Sequence, residues 1–386
     1  MNVYVSSLAS ALAQAGVECD VFTRRTANEP DVIEVEPGLR VLHLDAGPRA
    51  PIAKEQLVAH LGEFAARART VIDEQESGYD ILHGHYWMSG AVAHRLKHEL
   101  DLPLVSTFHT LALVKAAAGI VDVAASPEHD RAQAERDIVR CSDLVLASTE
   151  LERRDLVSRY GADPDRIEVL APGVDHERFR PDDRLVARRR LGIAPDEGIV
   201  LFAGRIQPLK GADLAVRAVA ELGDGSTRLI LVGDPSGPDG ERELQRVRAL
   251  AHTLGIEHRV QFTGAVAHDA LAAYYRAADV CIVPSHSESF GLVALEAASC
   301  GTPVVASAVG GLQSIVDDGV TGYLVDSREP HAYAAVVGKL LGDRAHAGAM
   351  GRAAAIAARR YSWHITAARL RRLFGDLAIT EPVQCR

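Results

Sequence analysis

The sequence predicts an α/β protein built from two doubly wound, largely parallel-sheet domains. Three observations carry this. A chain of 386 residues is too long for one ordinary core and suits two domains of roughly 150–200 residues. Short apolar runs alternate with amphipathic helical segments, the signature of βαβ units. The alternation occurs as two series, broken at Ala171-Pro172-Gly173-Val174-Asp175, which reads as a hinge.

In the first series, residues 2–15 read as a helix ended by Gly16, and Val17–Thr23 as a strand. Further strands are expected at 39–44, 81–83, 104–108, 144–147 and 167–170, with helices including 55–74 and 89–100. A doubly wound domain ordinarily opens with a strand and a Gly-rich turn; here it opens on the helix, so the N-terminal domain reads as lacking its first strand. The second series places strands at 199–203, 229–232, 260–262, 280–283, 304–306 and 322–325. The boundaries that follow are 1–172, 173–362, a C-terminal helix at 363–377 returning to the N-terminal domain, and a mobile tail at 378–386. Two such halves would place a ligand cleft between them, at the carboxyl ends of their strands.

Composition narrows the function classes. Apolar residues make up 47% and charged residues 24%, as in soluble globular proteins. No apolar stretch reaches the ~18 residues a membrane helix needs, and the first stretch lacks the charged region of a signal peptide, so a cytoplasmic location is expected. A net charge of −10 argues against nucleic acid as a partner. Cys19, Cys141, Cys281, Cys300 and Cys385 are scattered with no C-x-x-C, which reads as reduced residues rather than a disulfide framework or a zinc site.

The stretch with most chemical content is SHSESFGLVALEAASCGT, 285–302. It follows the apolar run 280–283, and a helix is expected to open near Ser289, offering N–H groups to an anion. Glu288 and Glu296 stand eight apart, a little over two helical turns, so both carboxylates are expected to face one cleft. An anion at the helix end, one acid on a ribose and one on a transferred sugar would suit a nucleotide sugar. The alternative is an amphipathic helix whose polar face carries two acids. A second loop, GRIQPLKG, follows the strand at 199–203. Its Arg205 and Lys210 suit a pyrophosphate, a fork and a mobile point charge, with Gly204 and Gly211 keeping the loop tight. Gly233-Asp234-Pro235-Ser236-Gly237 reads first as a turn. Gly310-Gly311 reads as a close approach to ligand phosphate. In the first half, His83-Gly84-His85 reads as a loop rather than a metal pair, and His109 ends a strand.

The E-x7-E pair and GR-x-x-x-x-KG resemble the donor motifs of retaining glycosyltransferases with the two-domain GT-B fold, two Rossmann-like domains facing a cleft. The resemblance implies donor contacts from Arg205, Lys210, Glu288, Ser289, Phe290, Gly291, Leu292 and Glu296. It also implies that His109 touches the transferred sugar. MNVYVSSLASALAQAG, HGHYWMSGAVA, FHTLALVK, VGDPSGP and AVGGL are further similar to the D-inositol-3-phosphate glycosyltransferases of mycothiol synthesis, over essentially the whole chain. That similarity implies UDP-N-acetylglucosamine as donor and inositol 3-phosphate as acceptor, the latter held by Asn2, Lys54, Tyr86, Thr110 and Arg131. The relatives' acid three residues after Gly310-Gly311 is Ser314 here, which leaves that contact open. A magnesium site at Tyr275, Arg276, Ala278 and Thr302 is also implied; those are poor ligand types for a hard cation unless backbone carbonyls serve, and the chemistry is expected to require no cofactor, with Mg²⁺ left open. His109, Arg205, Lys210 and Glu288 are the implied catalytic set. No covalent nucleophile stands out, and front-side attack by the acceptor hydroxyl is compatible. In that family a strand and Gly-rich loop precede MNVYV, so Met1 reads as an internal methionine or the chain as truncated.

Two other readings stay open: a sucrose-phosphate-synthase-like transferase using UDP-glucose and a sugar phosphate, and a nucleotide-sugar-binding protein without turnover. A nicotinamide dehydrogenase is disfavoured, because no G-x-G-x-x-G follows a strand. A homodimer is neither required nor excluded.

Overall fold

The computed structural model describes residues 2–124, 128–237 and 239–385. The chain forms two compact units. One runs through Gly173 and resumes at Trp363; the other is Val174–Ser362.

The first unit carries strands β1 (Cys19–Arg24), β2 (Val32–Glu36), β3 (Leu39–Leu44), β4 (Leu82–His85), β5 (Leu104–Thr107), β6 (Leu144–Ala147) and β7 (Ile167–Val169). Strands β4-β5-β6-β7 form one parallel sheet. A second sheet, β1-β3-β2, pairs β1 with β3 in parallel and β2 with β3 antiparallel. Among the described residues, no strand pair joins the two sheets. Strands β5 and β6 are buried along their whole length, which is why they read as unbroken apolar runs rather than alternations. Strand β2 was not expected. Its Val32, Ile33 and Val35 are exposed on an edge, so no core face imposes a pattern there.

The helix Asn2–Gln14 and the final helix Trp363–Ala378 share one core. Tyr4, Leu8 and Leu12 meet Val105, Leu146, Trp363 and Leu370 in a single buried cluster. The last helix is tied down further by Thr366 Oγ1 donating to the Ala171 carbonyl and by an Arg369–Glu168 ion pair.

Three expectations are corrected in this unit. The tail is not free: the Val383 N–H donates to Asp143 Oδ1 at 2.6 Å, and the same carboxylate pairs with the buried Lys97. Cys141 and Cys385 are not independent thiols but form a disulfide, while Cys19, Cys281 and Cys300 are free. The two bonded residues lie 244 apart in sequence, so no local spacing could announce the pair. The helix expected from residue 55 begins as a 3-10 turn, Lys54–His60, before the α-helix Leu61–Asp73.

The second unit is a single parallel sheet of six strands: β8 (Ile199–Ala203), β9 (Arg228–Val232), β10 (Val260–Gly264), β11 (Val280–Val283), β12 (Val304–Ser307) and β13 (Gly322–Val325). Their order is β10-β9-β8-β11-β12-β13. The chain enters at β8 in the middle, winds outward to β10, then restarts beside β8 with β11 and winds the other way. The winding direction therefore reverses between β8 and β11. In open parallel sheets that switch point is where ligands bind, outside the strands' carboxyl ends. Beneath the sheet's opposite end, the buried Arg188 pairs with Asp279 and donates to the carbonyls of Ala194, Pro195, Glu197 and Ala277, leaving no buried charge uncompensated.

Candidate functional site

The two loops that leave β8 and β11 at the switch point are Gly204–Gly211 and Pro284–Gly291. They are stitched together by the His286 N–H donating to the Leu209 carbonyl. Lys210 Nζ reaches across to Glu288 Oε2 at 2.6 Å, and Ser285 Oγ lies 3.3 Å from the same oxygen. Lys210, Ser285, Glu288, Gly204, Phe202 and Val293 line one small recess. Arg205 stands exposed at its loop, without a hydrogen bond or ion pair among the described residues, so its guanidinium is available to an anion.

Two glycine contacts set this geometry. Gly211 has φ +72, and a Cβ there would stand 2.2 Å from the Pro284 carbonyl oxygen, so only glycine lets the first loop close on the second. Gly311 donates its N–H to the Glu288 carbonyl, and a Cβ on it would meet Phe290 Cα at 2.3 Å. Gly310-Gly311 thus presses on the backbone of the Glu288 loop. The close approach made here is to the protein's own backbone at Glu288 and Phe290. Arg328, which no motif singled out, supports the same loop by donating to the carbonyls of Pro284 and Ser285. The loop after β9 is bound in as well: Ile206 N–H donates to Asp234 O, and Gln207 Nε2 to Ser236 O.

The helix following β11 starts at Leu292, not Ser289, with Gly291 at φ 107 as its N-cap. Glu288 therefore sits in the loop, and the helical-turn argument for its facing the same way as Glu296 does not govern it. Glu296 lies inside the helix, buried, with His268 Nε2 and Tyr275 Oη each 2.8 Å from one of its oxygens. It is not among the residues lining the recess. Phe290 is also buried, edge-on to Tyr361, while Ser289 and Leu292 are partly exposed beside the recess residue Val293. Ser314, at the position of the relatives' acid, accepts from Tyr361 Oη through its carbonyl.

Tyr275, Arg276, Ala278 and Thr302 lie together: Thr302 Oγ1 donates to the Tyr275 carbonyl at 2.6 Å. Arg276 spends its guanidinium on the carbonyls of Arg178 and Arg180. The set offers no carboxylate, and both of its hydroxyls are engaged, Tyr275 Oη on Glu296 and Thr302 Oγ1 on the Tyr275 carbonyl. These side chains do not suit a hard divalent cation, for which only the backbone carbonyls would be left, and no chemical step below runs through a metal.

In the first unit a second cluster forms around Tyr86. Lys54 Nζ lies 5.4 Å and the Arg131 guanidinium 5.3 Å from its ring centre. Arg131 is buried and held by Glu135, which also accepts from Tyr160 Oη and the Ala112 N–H. Its Nη2 donates to the carbonyl and hydroxyl oxygens of Thr110, whereas Nη1 is buried with no hydrogen-bond partner, 3.5 Å from Glu128. Lys115 joins these cations. Burial first, then the charges of Arg131 and Lys54, lower its pKa to about 8. Lys54, Tyr86, Thr110 and Arg131 are thus brought together as expected from the resemblance, and Lys115, inside FHTLALVK, and Glu135 were missed. Their side chains carry no motif; only the fold gathers them. Asn2 is exposed at the start of its helix, and no contact ties it to the cluster.

His83 and His85 belong to β4 rather than to a loop, so alternation places both rings on one face, 4.0 Å apart. His85 Nδ1 lies 3.2 Å from His109 Nε2. Burial lowers His85 to about 4 and His109 to about 2, so both imidazoles are neutral at ordinary pH. Tyr86 and His109 both have positive φ, 75° and 61°, a conformation unusual for such residues and concentrated at functional sites.

Comparison with known proteins completes the description. The family profile "Glycosyltransferase Family 4" matches residues 1–178, and "Glycosyl transferases group 1" matches residues 183–356. The D-inositol 3-phosphate glycosyltransferase of Acidothermus cellulolyticus is 46% identical over 95% of this chain and 83% of its own length. The chain belongs to the D-inositol 3-phosphate glycosyltransferase family. The member from Xylanimonas cellulosilytica is 44% identical over 100% of the chain and 93% of its own. Among solved structures, sucrose-phosphate synthase from Thermosynechococcus elongatus superposes with a TM-score of 0.90 at 35% identity, covering 97% of this chain and 93% of that one. The enzyme has the two α/β domains with parallel sheets of a GT-B glycosyltransferase, and no helix among the described residues is long and apolar enough to cross a membrane.

Proposed function

We propose that this glycosyltransferase moves N-acetylglucosamine from UDP-N-acetylglucosamine to 1D-myo-inositol 3-phosphate with retention, the first step of mycothiol synthesis, in the cytoplasm where such a donor is found. The observation that carries the acceptor reading is the Lys54, Lys115 and Arg131 cluster, in which the buried Arg131 Nη1 makes no hydrogen bond and faces only the Glu128 carboxylate at 3.5 Å. Two cations over one aromatic ring, with Lys115 close enough to feel both charges, suit a phosphate monoester, to which a guanidinium offers paired, charge-assisted hydrogen bonds. Tyr86 and Thr110 supply hydroxyls for the inositol ring. The family names support the same acceptor.

On the donor side, Arg205 and Lys210 take the diphosphate at the switch point. As the bond from the anomeric carbon to the UDP oxygen breaks, its electron pair leaves with the diphosphate. The cations stabilise the charge that develops. The acceptor hydroxyl bonds to the anomeric carbon on the same face, and its proton passes to the departing phosphate oxygen. His109, neutral, hydrogen-bonds the transferred sugar rather than carrying a charge to it. Glu288, released from Lys210 when the diphosphate arrives, turns to the sugar. Glu296 reaches ribose hydroxyls by giving up His268, whose ring is partly exposed. Nothing in this sequence of events requires a cofactor.

The test is UDP release from UDP-N-acetylglucosamine with and without inositol 3-phosphate, beside UDP-glucose with fructose 6-phosphate. Release dependent on inositol 3-phosphate is expected. Turnover only with the second pair would favour the sucrose-phosphate-synthase-like reading, and UDP binding without any turnover a binding protein.

A further inference from the structure

A cluster on the first unit, apart from both sites above, has the chemistry of a metal centre. His94 and His98 stand four residues apart on the helix Tyr86–Leu100, so their side chains share one face. Their Nε2 atoms are 3.2 Å apart. Cys141 ends the helix Glu128–Cys141 and is buried; Cys385 arrives from the C-terminal tail, its Sγ 3.9 Å from His94 Nε2. One ligand atom from each of the four residues lies within 4.8 Å of all the others. Among the described residues no other such group of histidine, cysteine and carboxylate ligands occurs.

The geometry points to a tetrahedral Zn²⁺ site formed by His94, His98, Cys141 and Cys385 when the two sulfurs are reduced. Zinc bonds of about 2.0–2.1 Å to nitrogen and 2.3 Å to sulfur put neighbouring ligand atoms roughly 3.3–3.8 Å apart. The 3.2 Å and 3.9 Å separations lie just below and just above that range, so a shift of a few tenths of an ångström brings the atoms to it. The H-x3-H pair on a helix is a usual zinc spacing, and two thiolates complete a closed, structural set with no open position for catalysis. Cys141 and Cys385 are oxidised to a disulfide here, and that bond and the metal exclude one another. A thiol reductant supplies two electrons and two protons to open the disulfide and is itself oxidised; Zn²⁺ then displaces the two thiol protons. In either state the tail stays fastened beside Asp143, which already holds Val383. The site spans 292 residues of chain, from His94 to Cys385, and holds together parts of the first unit that the sequence separates.

The experiment uses the full chain, expressed with zinc supplied and purified in a non-thiol reductant, then dialysed and analysed for metal by mass spectrometry. Thiol titration must show five thiols rather than three, establishing that the disulfide is open. One zinc per chain is expected, falling at least tenfold in His98→Ala and in Cys385→Ser, both at solvent-accessible positions, with glycosyl transfer unchanged. Cobalt in place of zinc should give the intense visible bands of a tetrahedral site with thiolate ligands, absent from both variants. A fully reduced chain holding less than a tenth of an equivalent of zinc would overturn the proposal. So would zinc retained in either variant, which would place the metal elsewhere.

Discussion

Lys210 Nζ and Glu288 Oε2 lie 2.6 Å apart, each side chain about one-fifth exposed, on the two loops that flank the reversal of strand order. The cation proposed to take the diphosphate is thus paired with a carboxylate. A diphosphate must displace Glu288 to reach Lys210, so the pair is a competitor for the nucleotide as well as part of its site. Glu288→Gln is expected to bind free UDP more tightly than the parent while losing turnover. Lys210→Ala should weaken UDP binding and lower kcat/KM by roughly 10²–10³-fold. Calorimetry with UDP beside steady-state kinetics checks both; parallel changes in binding and turnover for Glu288→Gln would refute the competition.

Gly311→Ala should push the Glu288 loop away from the recess. The added Cβ would meet Phe290 Cα at 2.3 Å and the Phe290 carbonyl oxygen at 2.5 Å, so the backbone must move. UDP affinity is expected to fall at least tenfold while acceptor binding, measured separately, is unchanged.

Lys115 gives acceptor affinity a pH dependence. With a pKa near 8, lowered mainly by burial and then by Arg131 and Lys54, it loses its proton as pH rises through 8. Binding of a phosphate monoester is expected to weaken above that pH, with KM for the acceptor rising several-fold between pH 7 and 9. In Lys115→Met the KM is raised throughout and this pH step disappears. Arg131→Lys keeps a charge but loses the paired geometry, and should raise the acceptor KM by more than tenfold without altering UDP affinity.

Glu152 contributes to stability in the opposite sense from most carboxylates. It is buried at the third position of the helix Glu150–Tyr160, accepting from the Ser148 N–H, and burial raises its pKa to about 7. Because the folded value exceeds the unfolded one, the folded protein binds the extra proton. The contribution is fully present below the unfolded pKa and is lost as pH rises through about 7, on the order of 2–3 kcal/mol in all. Glu152→Gln should flatten this slope in urea denaturation midpoints taken between pH 4.5 and 7.5; an unchanged slope would assign it to other groups.

Much of this was legible in the residues. The central strands β8 and β11 of the second unit are unbroken apolar runs, because a strand covered on both faces needs no alternation, whereas the edge strand β10, VQFTG, buries only its first residue. The meeting of the loops after β8 and β11 was legible because backbone demands select glycines such as Gly211. Other features were not. Glu288 and Glu296 look like partners at helical spacing, yet one sits in a loop fixed by Gly311, a contact made across 23 residues. Lys115 and Glu135 are ordinary charged residues until the helices that carry them converge on Tyr86. The bond between Cys141 and Cys385 depends on where the tail returns, which local spacing cannot encode.

The helix Trp363–Ala378 belongs to the unit begun by the first residues, and its Trp363 and Leu370 close the core around Tyr4 and Leu8. On the ribosome the order of completion is therefore inverted. The Val174–Ser362 unit is fully synthesised while the earlier one still lacks a wall, and the earlier one must keep Leu8, Leu144 and Leu146 from aggregating until translation reaches its last few dozen codons. A pause or premature stop before Trp363 would then leave the Val174–Ser362 unit already folded, joined to a first unit that cannot follow it.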